Sequence, residues 1–364
     1  MKFALLGDVA LIGKYDLTKN PDALKRLDVI KDYLGQFDYV IGNLESPLTD
    51  VTKTWIPKSM HLRSSRKNVD ILKYLGVKAV SIANNHVYDF GQKGFAETIE
   101  TLEQNGIEWC GAYGKDVQIR QNGESINVSA FCCASTNGVH LGNANTDKNT
   151  IHLLNRYNIE RQLQKDDEQN AFSLIIPHWG QEHTSYPGKD TIKIARKIAE
   201  MKSNLAIVAH HPHQIQGIES FNDNLIAYSL GNFLFDDCVS INGKMHLRQT
   251  EFNKKTFVLS LEVKNNVLVN YSIQGFLDDD SMGLIKFDID KEMEEYSSKI
   301  NDFDSVEYEQ LRKQQIASAQ QKKFGKHNLK WVLSRLNYYA VGAKLMTFRM
   351  KKKYEKCVVE FTND

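Results

Sequence analysis

Nowhere in the 364 residues is there an uninterrupted apolar run of the roughly 18 residues that a membrane-spanning helix needs. The N-terminal KFALL runs straight into Gly7-Asp8, without the long apolar segment of a secretory leader, so the expected location is cytoplasmic. An excess of charge of either sign is also missing: 46 basic residues face 45 acidic ones, for a net +1. That balance removes any overall electrostatic argument for nucleic acid. Cysteine is sparse and scattered. Cys110, Cys132, Cys133, Cys238 and Cys357 are odd in number and form no CxxC pair, so neither a disulfide framework nor a cysteine-rich metal knuckle can be read from them. Reduced thiols, most of them buried, are expected. What is present is a hydrophobic fraction of 41%, enough for a substantial core. The length suits one large domain with an appendage.

Short apolar runs at residues 2–6, 38–41, 77–83, 172–177, 205–209 and 225–230 read as buried strands, with further strand-like segments at 107–110 and 126–133. Between them, 21–34, 67–75, 91–105, 158–169 and 190–201 have helical spacing; Gly76 and Gly106 mark two of the helix ends. The Asn- and Gly-rich stretch 138–150 reads as a loop. After residue 235 the texture changes: 256–263 and 267–276 alternate like an antiparallel hairpin around Asn265-Asn266. From 291 onward the chain is helical, charged and low in Gly and Pro. The alternation predicts layered α/β packing, with a domain over 1–290 and a helical appendage over 291–364.

Polar residues recur where the apolar runs stop. Residues 205–213 read LAIVAHHPH, so a buried strand ends in three histidines and a proline. Pro212 restricts its own backbone and biases His211 towards an extended conformation. The other strand ends carry Asp8, Asn43 with Glu45, Asn85 with His86, and His178. In a layered α/β fold such ends gather along one sheet edge. Carboxylate, amide oxygen and imidazole together suit Mn, Fe or Zn and fit an all-oxygen calcium site poorly. Two ions are the expected count, because a close pair can both activate water and hold a leaving oxygen.

The segments GDV, GNLESPLTD, SIANNHVYDFG, PHWGQEH, HHPH and IAYSLGNFLFD, in this order over residues 1–237, resemble the CapA family of capsule and poly-γ-glutamate biosynthesis proteins, within the calcineurin-like metallophosphoesterase superfamily. The resemblance implies a four-layer αββα sandwich with a dinuclear metal centre. It implies Asp8 and His213 as ligands of one ion, and Asn85, His178 and His211 as ligands of the other. His86 resembles the histidine that protonates a leaving group, with Asp89 orienting it. Three departures stand out. Ala10 occupies the place of a first-motif histidine, and Asn43 that of a bridging aspartate, so Glu45 is expected to supply the bridging charge. Ala209 and His210 precede the last ligand pair, and His210 is expected on the pocket wall or behind the ligands. Arg63 and His183 are expected to face substrate, and Asn232 to tighten a turn beside a ligand; a plain surface arginine is the alternative for Arg63. The implied function is metal-dependent hydrolysis of a phosphoester or amide-like bond in a small-molecule or polymer substrate. The alternative is a non-catalytic component of a capsule assembly complex, favoured by Ala10 and Asn43. The basic run 349–353 suits a membrane surface or an assembly partner, or a solvated terminal helix.

Overall fold

Strand β1 (Lys2–Val9) is buried from Phe3 onward, as a strand covered on both faces requires. Parallel to it run β2 (Tyr39–Leu44), then β3 (Val77–Ser81) and β4 (Glu108–Cys110). The crossovers carry α1 (Asp28–Leu34), α2 (Val69–Tyr74) and α3 (Gly91–Gln104). Beyond the ends of α2 and α3, Gly76 and Gly106 take φ of 69° and 68°, the left-handed turn their sequence predicts. This computed structural model describes residues 1–136, 151–241, 243, 246–324 and 336–362. The loop expected at 138–150 lies outside the described residues.

A second sheet follows, built from β5 (Val117–Gln121), β6 (Glu124–Cys132), β7 (Phe172–His178), β8 (Leu205–Val208), β9 (Ile218–Phe221) and β10 (Asn224–Ala227), in the order β5-β6-β7-β8-β10-β9. Helices α4 (Arg156–Glu168) and α5 (Lys189–Met201) pack against β7 and β8. The chain then returns to the first sheet. Strand β11 (Asn232–Leu234) joins β1 in parallel, and after a short ribbon of β12 (Cys238–Val239) and β13 (His246–Leu247) comes β14 (Lys255–Lys264), antiparallel to β1. Strands β15 (Val267–Asp279) and β16 (Gly283–Lys286) complete the order β16-β15-β14-β1-β2-β3-β4. Asn265 and Asn266 form the predicted hairpin turn, both at positive φ.

Leu5, Ile41, Val80 and Phe257 of the first sheet share one core cluster with Val128, Ile175 and Ile207 of the second. The sheets therefore pack face to face with helices outside, giving an αββα sandwich. The helices expected after residue 290 are present as α6 (Asp290–Ile300), α7 (Val306–Phe324) and α8 (Tyr338–Thr362). Met293, Tyr296, Ile300, Tyr308, Met350, Cys357 and Phe361 belong to the same core cluster, so packing is continuous across residue 290. Helix α8 lies along α5 and α4, where the Arg156 guanidinium donates to the Glu360 carbonyl at 3.2 Å. No helix among the described residues is long and apolar enough to cross a membrane.

Truncating the fully buried Phe361 tests this continuity. Phe361→Ala should lower the unfolding free energy by about 3–5 kcal/mol in urea titration. A loss below about 1 kcal/mol would mean that α8 folds apart from the sandwich.

Candidate metal centre

Strand register assembles the centre. In the first sheet Asn232, Asp8 and Asn43 stand side by side, because Asp8 pairs with Asn232 on β11 and with Asn43 on β2. In the second sheet Cys132, His178 and His210 form the matching row. The rows meet between the sheets: the Asn43 amide nitrogen is 2.8 Å from Asp8 Oδ1 and 3.4 Å from His178 Nδ1. Past β8 the backbone reverses direction. His211 and His213 take φ of 99° and 58°, a strained region for residues other than glycine. The extended conformation expected of His211 before Pro212 is overridden here, and its backbone N–H instead donates to Asp8 Oδ2 at 3.3 Å.

Three groups of side chains present donor atoms within 4.8 Å of one another: Asp8 with Glu45 and His213, Glu45 with His178 and His211, and Glu182 with His211 and His213. The first two share Glu45. Asn85 joins the second, its Oδ1 lying 2.9 Å from His178 Nε2, and His211 Nδ1 approaches that nitrogen to 3.1 Å. Both Glu45 carboxylate oxygens are buried without a hydrogen bond. A carboxylate withdrawn from water in this way needs a cation, and the surrounding imidazoles and carboxylates are the donors that divalent transition metals accept.

The electrostatics express the same demand. Burial pushes the Glu45 carboxyl well above the usual carboxylate range. Burial would raise Asp8 too, but His210 and His213 outweigh it and hold Asp8 well below that range. Burial drives His178 down, and His211 to about 3, so both imidazoles are neutral, as ligands must be. His213 goes the other way: burial alone would lower it, and the carboxylates of Glu45 and Asp8 carry it up to about 10. Bound cations would release that proton and free the His213 ring nitrogen facing Glu45, Nε2, which lies 3.6 Å from Oε1.

His86 sits beside this centre. Its Nδ1 is 2.6 Å from Asp89 Oδ2, and because a carboxylate only accepts, Nδ1 carries the proton there. Asp89 also accepts from Lys58 Nζ at 2.8 Å and from the Leu62 N–H at 2.7 Å, and Lys58 reaches the Asn85 carbonyl at 2.7 Å. Burial opposes the charge on Asp89, yet Lys58 and His86 hold its carboxyl far below the usual range. Burial lowers His86, with the Lys58 charge adding to the effect.

Residues 2–237 match the family described as bacterial capsule synthesis protein PGA_cap. The chain belongs to that family. It is 30% identical over 219 residues to the capsule biosynthesis protein CapA of Bacillus anthracis, covering 57% of this chain and 53% of that one. It is 29% identical over 245 residues to the PGA biosynthesis protein CapA of Bacillus subtilis strain 168, covering 64% and 63%. The chain thus spans between half and two thirds of the length of these relatives. The solved calcineurin-like phosphoesterase YfkN of Bacillus subtilis aligns with 88% of this chain and 99% of its own, at a TM-score of 0.39 and 12% identity. At that level of similarity it supports no assignment.

Every PGA_cap ligand candidate is buried in this one region, but some neighbours sit differently from their sequence reading. Asn43 turns its amide nitrogen to Asp8 and its oxygen towards Asn84, so it orients Asp8 rather than offering an oxygen to the Asp8 group. His210 takes the second of its two expected places. It is buried behind the ligands, with Nδ1 3.3 Å from Asp8 Oδ1, because the bridge between His178 and His210 turns that position inward. Asn232 accepts from His213 Nδ1 at 2.9 Å and sets its ring. Arg63 is exposed and donates to the Thr49 carbonyl at 3.3 Å, away from the donor groups. His183 sets its ring 6.0 Å from that of His213, tilted by 32°, and opens onto a cavity of about 640 Å³, also lined by Gln214, Arg248, Phe252, Asn253 and Gln315. Lys58 was not singled out from the sequence. A lysine within the irregular 51–63 stretch carries no periodic signal, and its one clue is the buried Asp89 that needs a cation.

The Lys58–Asp89 pair predicts a double-mutant result. Lys58→Met should destabilise by about 3–5 kcal/mol by leaving Asp89 buried and unpaired. Adding Asp89→Asn should recover a large part of that loss, whereas simple additivity in thermal melts would show that the two do not depend on each other.

Proposed function

We propose that this PGA_cap protein is a metal-dependent hydrolase that acts in capsule, exopolysaccharide or poly-γ-glutamate biosynthesis. Its substrate is a small molecule or polymer cleaved at a phosphoester or amide-like bond. The observation that carries this reading is Glu45, a buried carboxylate with no hydrogen bond, common to two groups of donors. Asp8 and His213 would hold one ion with Glu45, and Asn85, His178 and His211 would hold a second with it; Glu182 stands at the rim. The ions, Mn, Fe or Zn, would supply an activated water and offset the charge that builds on the leaving oxygen.

The chain's own groups do the rest. Asn43 and Asn232 orient Asp8 and His213 through hydrogen bonds of 2.8 and 2.9 Å. Asp89, fixed by Lys58, holds the proton on His86 Nδ1, so that Nε2, once protonated, delivers its proton to the departing group. The cavity beside His183 accommodates the remainder of the substrate, with Arg248 available for an acidic substituent. The names of the two Bacillus relatives support the biosynthetic setting. Five free buried cysteines suit a reducing, cytoplasmic one.

A second reading, a non-catalytic capsule-assembly component, draws on Ala10. It is fully buried in a small apolar cluster with Ile12, Leu62, Phe235 and Cys238, so that position offers no ligand. Metal analysis separates the two. Protein purified without chelator should carry roughly one to two equivalents of transition metal, and Glu45→Gln should carry much less. His86→Ala should keep the metal but lose about 10²–10⁴-fold in turnover of an aryl phosphodiester or a γ-glutamyl peptide. Absence of metal even after reconstitution would favour the assembly component.

A further inference from the structure

Helix α8 lies beyond the segment matched to the family and carries a feature that hydrolysis does not use. Its buried side chains, Met350, Cys357 and Phe361, face the sandwich. At about 100° per residue, Tyr338, Val341, Leu345 and Phe348 fall in one stripe on the opposite side. They are 58%, 49%, 64% and 64% exposed. Trp55, 80% exposed, stands at the head of the stripe, because the Tyr338 hydroxyl donates to the Trp55 carbonyl at 3.0 Å and that of Tyr339 to the Thr54 carbonyl at 2.9 Å. Exposed apolar residues are ordinary when they occur singly, whereas aligned ones mark a surface that is covered in use.

Charge identifies the cover. From Tyr338 to Lys353 the sequence has Lys344, Arg349, Lys351, Lys352 and Lys353 and no acid. Lys352 Nζ sits 5.3 Å from the Phe348 ring centroid, so a cation stands at the stripe itself. A second copy of the chain would set one cationic face against another, a repulsive arrangement. Aromatic and aliphatic residues flanked by lysines, of which Lys351 also meets Glu355 at 3.9 Å, are the make-up of a helix that lies in the plane of an acidic bilayer.

We propose that the α8 stripe and Trp55 form a docking surface for anionic lipid bilayers. The apolar side chains enter the headgroup layer and the lysines meet lipid phosphates. The protein is held peripherally, consistent with the absence of a membrane-crossing helix among the described residues. The inference is independent of the hydrolase reading.

Vesicle sedimentation of the full chain tests it. Binding to vesicles of equal parts phosphatidylglycerol and phosphatidylcholine should exceed binding to phosphatidylcholine alone by about tenfold or more and should weaken as salt rises. Leu345→Glu combined with Phe348→Glu should abolish it, and Lys344→Glu combined with Lys352→Glu should do the same, both with unchanged thermal melts. Tryptophan emission should shift to the blue on anionic vesicles, and Trp55→Phe should remove that shift. Equal binding to neutral vesicles, no binding to acidic ones, or a dimer in sedimentation equilibrium that Leu345→Glu with Phe348→Glu dissociates would overturn the proposal.

Discussion

Glu45 bears the constraint around which the centre is arranged. Removing a carboxylate from water costs several kcal/mol, and hydrogen bonds normally offset that cost. Glu45 has none, and instead faces imidazoles from the second sheet at 3.6 and 3.7 Å. Such a site is stable only with protons or cations in it. The raised pKa values of Glu45 and His213 are the proton solution; the convergence of His178, His211 and Asn85 is built for the cation solution. The strained backbone at His211 and His213 stands at the same site, and such strain persists only where the surrounding structure holds it in place.

Lys58 links this centre to a distant part of the chain. Its loop is held from outside by α8, through the hydroxyls of Tyr338 and Tyr339, the edge contact between the His61 and Tyr339 rings, and Gly342. A Cβ at Gly342 would come within 2.3 Å of the Pro57 Cβ. The same loop supplies the ammonium that fixes Asp89 and, through it, His86. Whatever seats the start of α8 therefore also seats His86, although the two are far apart in sequence.

Much of this was legible beforehand, for a physical reason. Buried parallel strands are continuous apolar runs, and the first polar residue after each one necessarily sits at a sheet edge. Strand ends brought Asp8, Asn43 with Glu45, Asn85 with His86, His178, and His211 with His213 together, and the family resemblance chose the ligands among them. Orientation could not be read in the same way. His210 and His211 are adjacent, and which of them faces the ligands depends on a cross-strand register that exists only once β7 and β8 pair. Likewise Pro212 has a known local preference, but the hydrogen bond from the His211 amide to Asp8 prevails over it. Lys58 was hidden because its partner lies 31 residues away and no repeat announces it. The C-terminal helices read as an appendage because the chain there turns helical, charged and low in Gly and Pro, yet Met293, Tyr296, Ile300, Tyr308, Met350, Cys357 and Phe361 enter the common core.

One consequence concerns where the shared segment stops. The family match closes at residue 237, while the strand that covers the outer side of β1, β14, begins at Lys255. A polypeptide trimmed to the recognisable portion would leave the most central strand of the first sheet with bare amides and carbonyls from Lys2 to Leu5. Such a rim recruits foreign strands and drives aggregation. In this protein the part that identifies the lineage cannot close its own sheet.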